Sequence, residues 1–213
     1  MDPVAPGPAS SGLERHLRAL GVTEPDVVRA VLSVPRALLV PEEARACAAE
    51  NVPLPIGHGQ TISAPDVVGW MTRALGVKAG AKVLDVGTGS GYQAAVLAAL
   101  GCRVHSVEIV PELARSAAAR LRDLGYDGVR VHAGDGSLGL PSEAPFDGIV
   151  VAAAAERVPP ALVEQLRPGA RLVLPVGPAG GAQLLRVLSR RGDGGVEERE
   201  TLPVRFVPLV VGK

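Results

Sequence analysis

Three carboxylates stand at the ends of three successive strand-like runs. Asp85 lies in Lys82–Val86, Glu108 follows Arg103–Val107, and Asp135 follows Val129–His132. The first run leads directly into Gly87-Thr88-Gly89-Ser90-Gly91, and a helical pattern begins at Tyr92. A turn this rich in glycine lets the backbone bend tightly and lets a ligand approach more closely than a Cβ would permit. An acid closing the next strand stands where a ribose hydroxyl pair would be bound. The chemistry implied is recognition of a nucleoside-bearing cofactor at the carboxyl edge of a sheet.

Two cofactor classes compete for this pattern. A dinucleotide fits poorly, because Gly91 comes two residues after Gly89 rather than three and Asp85 would set a negative charge against a pyrophosphate. A sulfonium cofactor with an ammonium group would instead be favoured by that acid. The reading is therefore S-adenosyl-L-methionine, leaving as S-adenosyl-L-homocysteine. Asp85 and the backbone of Gly87, Thr88, Gly89, Ser90 and Gly91 form the pocket, Glu108 accepts from the ribose, and Asp135-Gly136 accepts from the adenine amino group.

The elements needed to position these groups are legible in the period of the chain. From Lys82 on, apolar runs at Lys82–Val86, Arg103–Val107, Val129–His132, Phe146–Val151 and Arg171–Val176 alternate with helical patterns at Tyr92–Leu100, Pro111–Leu124 and Pro160–Leu166. That alternation predicts a doubly wound, mostly parallel α/β sheet of seven strands. Gln183–Ser189 and Val204–Val211 are read as an antiparallel pair closing one edge, joined by a turn and a polar connection.

Ahead of this core, residues 1–12 are rich in Pro, Ala, Gly and Ser and are expected to form a disordered tail. Residues 13–80 are expected to hold short helices and a functional loop, and residues 81–213 the cofactor-binding core, as one integrated domain. Pro41-Glu42-Glu43 reads as the start of a third helix. Asn51 to Pro65 is expected to be a long loop, and Ser63-Ala-Pro-Asp66 reads as a capping box opening a helix over Val67–Leu75, whose free N–H groups would suit a bound anion.

Composition excludes other classes. Lys plus Arg and Asp plus Glu each number 22, and no basic run could track a phosphate backbone, so nucleic acid is not an expected partner. No apolar stretch approaches a membrane span, and no targeting signal is visible, which gives an expectation of a cytoplasmic protein. The two cysteines and four histidines show no ligand spacing, so no metal is expected.

Taken together, Leu54-Pro-Ile-Gly-His-Gly-Gln-Thr-Ile-Ser-Ala-Pro65, the glycine turn with Tyr92-Gln-Ala-Ala95, Gly134-Asp-Gly136, Ala144-Pro-Phe-Asp147, Leu174-Pro-Val-Gly177 and Arg205-Phe-Val-Pro-Leu209 resemble protein-L-isoaspartate (D-aspartate) O-methyltransferases. The resemblance runs from about Leu13 onward and implies a Rossmann-like methyltransferase fold. It implies methylation of the α-carboxylate of isoaspartyl residues in damaged peptides and proteins, a repair function, by a monomer. Ser63 takes the family's active-site serine position, with Gln60, Thr61 and Ile62 lining the same loop toward the cofactor.

Two departures from the family's pattern point to an alternative. Ala48-Ala49 stands where an aromatic residue is common, and Asp66 where an aromatic or histidine is often found. An acid beside an anionic substrate is unfavourable by about 1 kcal/mol in water and about 4 at an effective dielectric of 20 for charges ~4 Å apart. The alternative is a sibling carboxylate O-methyltransferase acting on Asp side chains of a dedicated peptide. A cofactor-binding module without catalysis is a weaker reading because the loop, Ser63 and all three pocket acids are present, and a small-molecule methyltransferase is weaker because it would leave the Asn51–Pro65 loop unexplained.

Overall fold

Residues 8–212 are described in a computed structural model of the chain. The first helix, α1 (Pro8–Ala19), begins inside the segment expected to be a tail, of which residues 1–7 lie outside the described residues. It is followed by α2 (Pro25–Ser33), whose proline stands in the first turn where its missing N–H has no intrahelical partner to lose. The expected third helix is only a 3-10 segment, Glu42–Cys47.

The expected long loop is a β-hairpin. β1 (Leu54–Gly57) pairs antiparallel with β2 (Gln60–Ile62), and the turn between them puts His58 at φ +53° and Gly59 at +69°. Two successive positive φ angles match the twist of a hairpin, which explains why glycine occupies the second position. Leu54, Ile56 and Ile62 turn into the core from alternate positions of the strands.

Next come α3 (Pro65–Leu75), β3 (Lys82–Val86), α4 (Tyr92–Ala99), β4 (Arg103–Glu108), α5 (Pro111–Asp123), β5 (Val129–Ala133), β6 (Phe146–Val151), α6 (Pro160–Glu164), β7 (Leu166–Val176), β8 (Gln183–Arg190) and β9 (Val196–Val204). The main sheet has the order β5-β4-β3-β6-β7-β8-β9. It is parallel from β5 through β7 and antiparallel across β8 and β9. From β3 the chain moves first toward β4 and then returns to the other flank at β6, so the crevice of the topological switch opens above the carboxyl end of β3.

Alternate strand residues feed two apolar layers. Val83, Val104, Val150 and Val173 pack with the N-terminal helices and α4, whereas Leu84, Ile149, Leu172 and Phe146 pack on the opposite face with Leu162 of α6. Leu84 is fully buried, so Leu84→Ala is expected to cost ~2–5 kcal/mol. The core of the N-terminal helices is continuous with that of one sheet face.

The final strand differs from expectation. The polar segment Val196–Val204 forms the edge strand, whereas the apolar residues after it leave the sheet. An edge strand can be polar and can carry Pro203, because one of its edges needs no ladder partner. Residues 205–211 instead cross the carboxyl edge of β6: Ala154 N–H donates to the Val207 carbonyl and Leu209 N–H to the Ala154 carbonyl, both at 2.7 Å. Among the described residues no helix is long and apolar enough to cross a membrane.

Candidate active site

The glycine turn is built by its conformational needs. Gly87, Gly89 and Gly91 have φ of +88°, +53° and +93°, a region that side chains rarely adopt. Gly87 N–H is held by the Val107 carbonyl at 2.8 Å, and Gly91 caps α4. Glu108 fixes the turn from the neighbouring strand, where its carboxylate accepts from Gly89 N–H at 2.8 Å and from Val110 N–H at 2.9 Å. It is buried to 5% exposure, yet it lines a cavity of about 840 Å³ above the sheet.

That cavity gathers most of the predicted residues. Gln60, Thr61, Ile62 and Ser63 of the hairpin form one side, Gly87, Thr88, Gly89 and Ser90 the floor, and Glu108 and Gly136 the far end. Gly136 is there because a Cβ would stand 2.4 Å from Val86 Cγ1. The mixture of apolar wall with a few convergent polar groups suits a small ligand that carries both kinds of surface.

Three predicted pocket residues do not line the cavity. Asp85 is fully buried beneath the turn: Ser106 Oγ donates to its Oδ2 at 2.7 Å, Thr88 Oγ1 lies 2.5 Å from Ser106 Oγ, and Oδ1 has no partner. Asp85 pairs with Ser106 in the ladder, one residue short of the strand end, and so it faces sideways and not outward. Burial pushes its carboxyl up to about 7, the Ser106 hydrogen bond opposes the rise and Glu108 adds to it. Gly91 packs on Leu121, 3.1 Å from where a Cβ would be.

Asp135 is occupied by the protein itself, accepting from Ser137 N–H at 2.8 Å and from Gly212 N–H at 2.7 Å. Burial pushes its carboxyl up, but the bonds from Gly212 and Ser137 outweigh it and hold the group below its usual range.

The capping box is also absent. The N-cap of α3 is Ala64, because Pro65 takes the first helical position, and the Ala64 side chain has no acceptor to cap it. Asp66 N–H donates to Asn51 Oδ1 at 3.0 Å, and the Asp66 carboxylate accepts from Val67 N–H at 2.7 Å. The first turn of α3 is thus satisfied internally and offers nothing to a substrate anion.

Ser63 is instead fixed through its carbonyl. Arg36, only 6% exposed, donates from Nη2 to Ser63 O at 3.2 Å and Val52 O at 2.7 Å, and from Nη1 to Ala48 O at 3.0 Å and Glu50 O at 3.3 Å. Its guanidinium lies 5.8 Å from the Tyr92 ring. The Ser63 hydroxyl makes no hydrogen bond among the described residues and faces the cavity wall. Sequence reasoning missed Arg36, for which Val34-Pro35-Arg36 gave no signal beyond a helix end. It also missed Tyr92, Gln93, Met71, Ala152, Ala153 and Val207–Val210 as cavity walls.

A second cleft of about 540 Å³ adjoins the first and shares Thr61, Ser63 and Ala152 with it. Pro53, Ala64, Val67, Pro203, Val204, Arg205 and Phe206 complete it. Neither Ala49 nor Asp66, the two departures that motivated a dedicated-peptide substrate, lines either space.

Residues 9–213 match the family model described as protein-L-isoaspartate(D-aspartate) O-methyltransferase. The chain belongs to this family. A protein-L-isoaspartate O-methyltransferase of Anaeromyxobacter dehalogenans is 54% identical over 201 residues, covering 94% of this chain and 96% of that protein. The same-named protein of Gloeobacter violaceus is 52% identical over 197 residues, covering 92% and 96%. A Plasmodium falciparum protein-L-isoaspartate O-methyltransferase solved with S-adenosyl-L-homocysteine superposes with TM-score 0.79 at 26% identity, covering 96% of this chain and 99% of that one. Membership in the protein-L-isoaspartate O-methyltransferase family agrees with the parallel sheet and its switch-point cavity. Among the described residues no cluster of His, Cys, Asp or Glu could hold a metal.

Proposed function

We propose that this protein transfers a methyl group from S-adenosyl-L-methionine to the α-carboxylate of L-isoaspartyl residues in peptides and damaged proteins, as a repair enzyme acting as a monomer. The observation that carries the reading is that Ser63 stands on the wall common to two adjoining cavities, the inner one lined by the glycine turn and Glu108. The residues present fit the cofactor: the turn leaves room where a Cβ at Gly89 would come within 3.4 Å of Ile56, and Glu108 keeps lone pairs free for a ribose diol. Gly136 and the backbone of Gly87–Ser90 complete the cradle. Asp85 acts from beneath, through Ser106 and Thr88, and Asp135 latches the wall.

When bound, S-adenosyl-L-methionine supplies a methyl group on a positively charged sulfur, open to attack by an oxygen nucleophile. An α-carboxylate has an ordinary pKa of about 3.3–3.7 and arrives ionised at pH 7, so the site needs no general base. The titratable residues lining the inner cavity are Glu108, whose carboxylate is held by the Gly89 and Val110 N–H groups at the ribose end, and Tyr92, whose hydroxyl burial pushes up so that it stays neutral. Ser63 donates to and orients the carboxylate, Thr61 lines the same wall, and Ile62, Val68 and Met71 exclude water. Alignment and water exclusion are the terms these residues contribute. The N-terminal 13–80 and the 81–213 core act as one unit, each supplying part of that wall.

The test is methyl transfer from labelled S-adenosyl-L-methionine to two short peptides that differ only in isoaspartyl or ordinary aspartyl linkage. Base-labile label on the isoaspartyl peptide alone is expected. Label on the aspartyl peptide, or on neither, would overturn the reading.

A further inference from the structure

The outer cleft has two rigid walls. On the hairpin side, Arg36 pins the backbone of Ser63 and Val52. On the opposite side, Gln183, 2% exposed, accepts from Phe206 N–H at 2.6 Å and donates to the Phe206 carbonyl at 3.2 Å. This double bond to one residue fixes the chain where it turns off β9, and with it the neighbouring Arg205. The cleft therefore stands preformed rather than assembled by a substrate.

Its charge is one-sided. Of the ten residues lining the cleft, Arg205 is the only one that is charged, and it makes no hydrogen bond or ion pair among the described residues. The helix start that the sequence suggested as an anion site is closed by Asn51 and by the Asp66 carboxylate. Recognition of negative charge in this cleft thus falls to Arg205. Arg205 does not line the inner cavity, so it stands beyond the place of the reacting carboxylate.

We infer that Arg205 is a specificity-determining residue, resting on the proposed function, that pairs with a second carboxylate on the polypeptide flanking the isoaspartyl residue. A guanidinium fork suits a carboxylate in two-point contact, and Arg205 is exposed and so open to a peptide laid along the cleft. The second carboxylate has two sources, the side chain of an acidic neighbour or a free peptide C-terminus. Either source makes flanking negative charge a help to turnover, whereas flanking Lys is disfavoured.

The experiment compares kcat/KM for isoaspartyl hexapeptides with Glu, Gln or Lys just before or just after the isoaspartyl residue, each as free acid and as C-terminal amide. The enzyme is expected to favour Glu over Gln, or acid over amide, by about twofold to fivefold through KM, the span of an exposed ion pair. Raising salt to 0.5 M should shrink the ratio. Arg205→Met should bring the ratio to about one, and Arg205→Glu should reverse it toward Lys. The arm that shows the preference identifies the source. Should Arg205→Met fail to fold, Arg205→Lys, which keeps the charge without the fork, should retain only part of the ratio. Ratios near one in the unaltered enzyme, or a ratio that Arg205→Met leaves unchanged, would overturn the inference alone. An enzyme that methylates none of the isoaspartyl peptides would overturn the proposed function and this inference with it.

Discussion

Arg36 Nη2 and the carbonyl oxygen of Ser63 lie 3.2 Å apart across 27 residues of sequence, which ties the end of the hairpin to the segment that follows α2. The same side chain also carries Ala48, Glu50 and Val52. Burial pushes its pKa down and the Tyr92 interaction partly offsets that, yet four carbonyl acceptors and a ring face keep the cation in place. Arg36→Met should destabilise the fold by ~3–5 kcal/mol, the cost of stranding buried partners of a charge. Urea unfolding would measure it. Arg36→Lys should recover part of the stability while still raising KM for an isoaspartyl peptide.

Ser63→Ala removes a hydroxyl that makes no bond within the described protein, so stability should change by less than about 0.5 kcal/mol. Activity on an isoaspartyl peptide should fall about tenfold to a hundredfold, as for a lost charge-assisted hydrogen bond. Binding of S-adenosyl-L-homocysteine, measured by calorimetry, should stay within about twofold. A parallel loss of cofactor affinity would remove Ser63 from the substrate role.

Glu108→Gln should act on the cofactor. The amide keeps shape but offers one acceptor oxygen where Gly89 and Val110 now use two. Cofactor Kd is expected to rise about tenfold or more, the equivalent of ~1.5–3 kcal/mol for hydrogen bonds to a charged group. Equilibrium dialysis with S-adenosyl-L-homocysteine would read this directly.

Asp85 should make stability depend on pH. Its folded pKa, about 7, lies above the ordinary carboxyl value near 3.9, so its stabilising contribution is full below that value and is lost as pH rises toward 7. The loss is on the order of a few kcal/mol. Asp85→Asn cannot ionise, and its stability relative to the unaltered protein should improve from pH 5 to about pH 7 and level off above it in chemical denaturation. A difference that stays flat with pH would show that Asp85 is already ionised in the folded state.

The α/β half of the chain was legible because parallel strands buried on both faces read as continuous apolar runs, and Gly87, Gly89 and Gly91 mark a turn with three positive φ angles within five residues. The hairpin was hidden by Pro53 and Pro55, which obscured the alternation of Leu54, Ile56 and Ile62 around the two-residue turn His58-Gly59. β9 was hidden for the opposite reason, since a polar edge strand lacks the apolar signal that marks a buried one. Within the site, Glu108 was legible because it ends its strand. Asp85 was misplaced because strand residues alternate in direction, and one position decides whether a carboxylate meets the ligand or the core. Arg36 was unreadable because its partners are backbone carbonyls brought close only by the tertiary fold.

The segment that leaves β9 walls both cavities yet is attached at few points: Phe206 to Gln183, Val207 and Leu209 to Ala154, and Gly212 to Asp135. With Phe206 and Leu209 also packed against the two apolar layers, this attachment keeps the wall seated in the folded protein, and local opening here is expected to cost less free energy than unfolding of β3 through β8. Hydrogen–deuterium exchange at the Leu209 and Gly212 amides then reports how often the site dissolves, a frequency separate from global unfolding. Ligand occupancy should slow that exchange first, so the enzyme's working lifetime is governed by this strap before it is governed by its core.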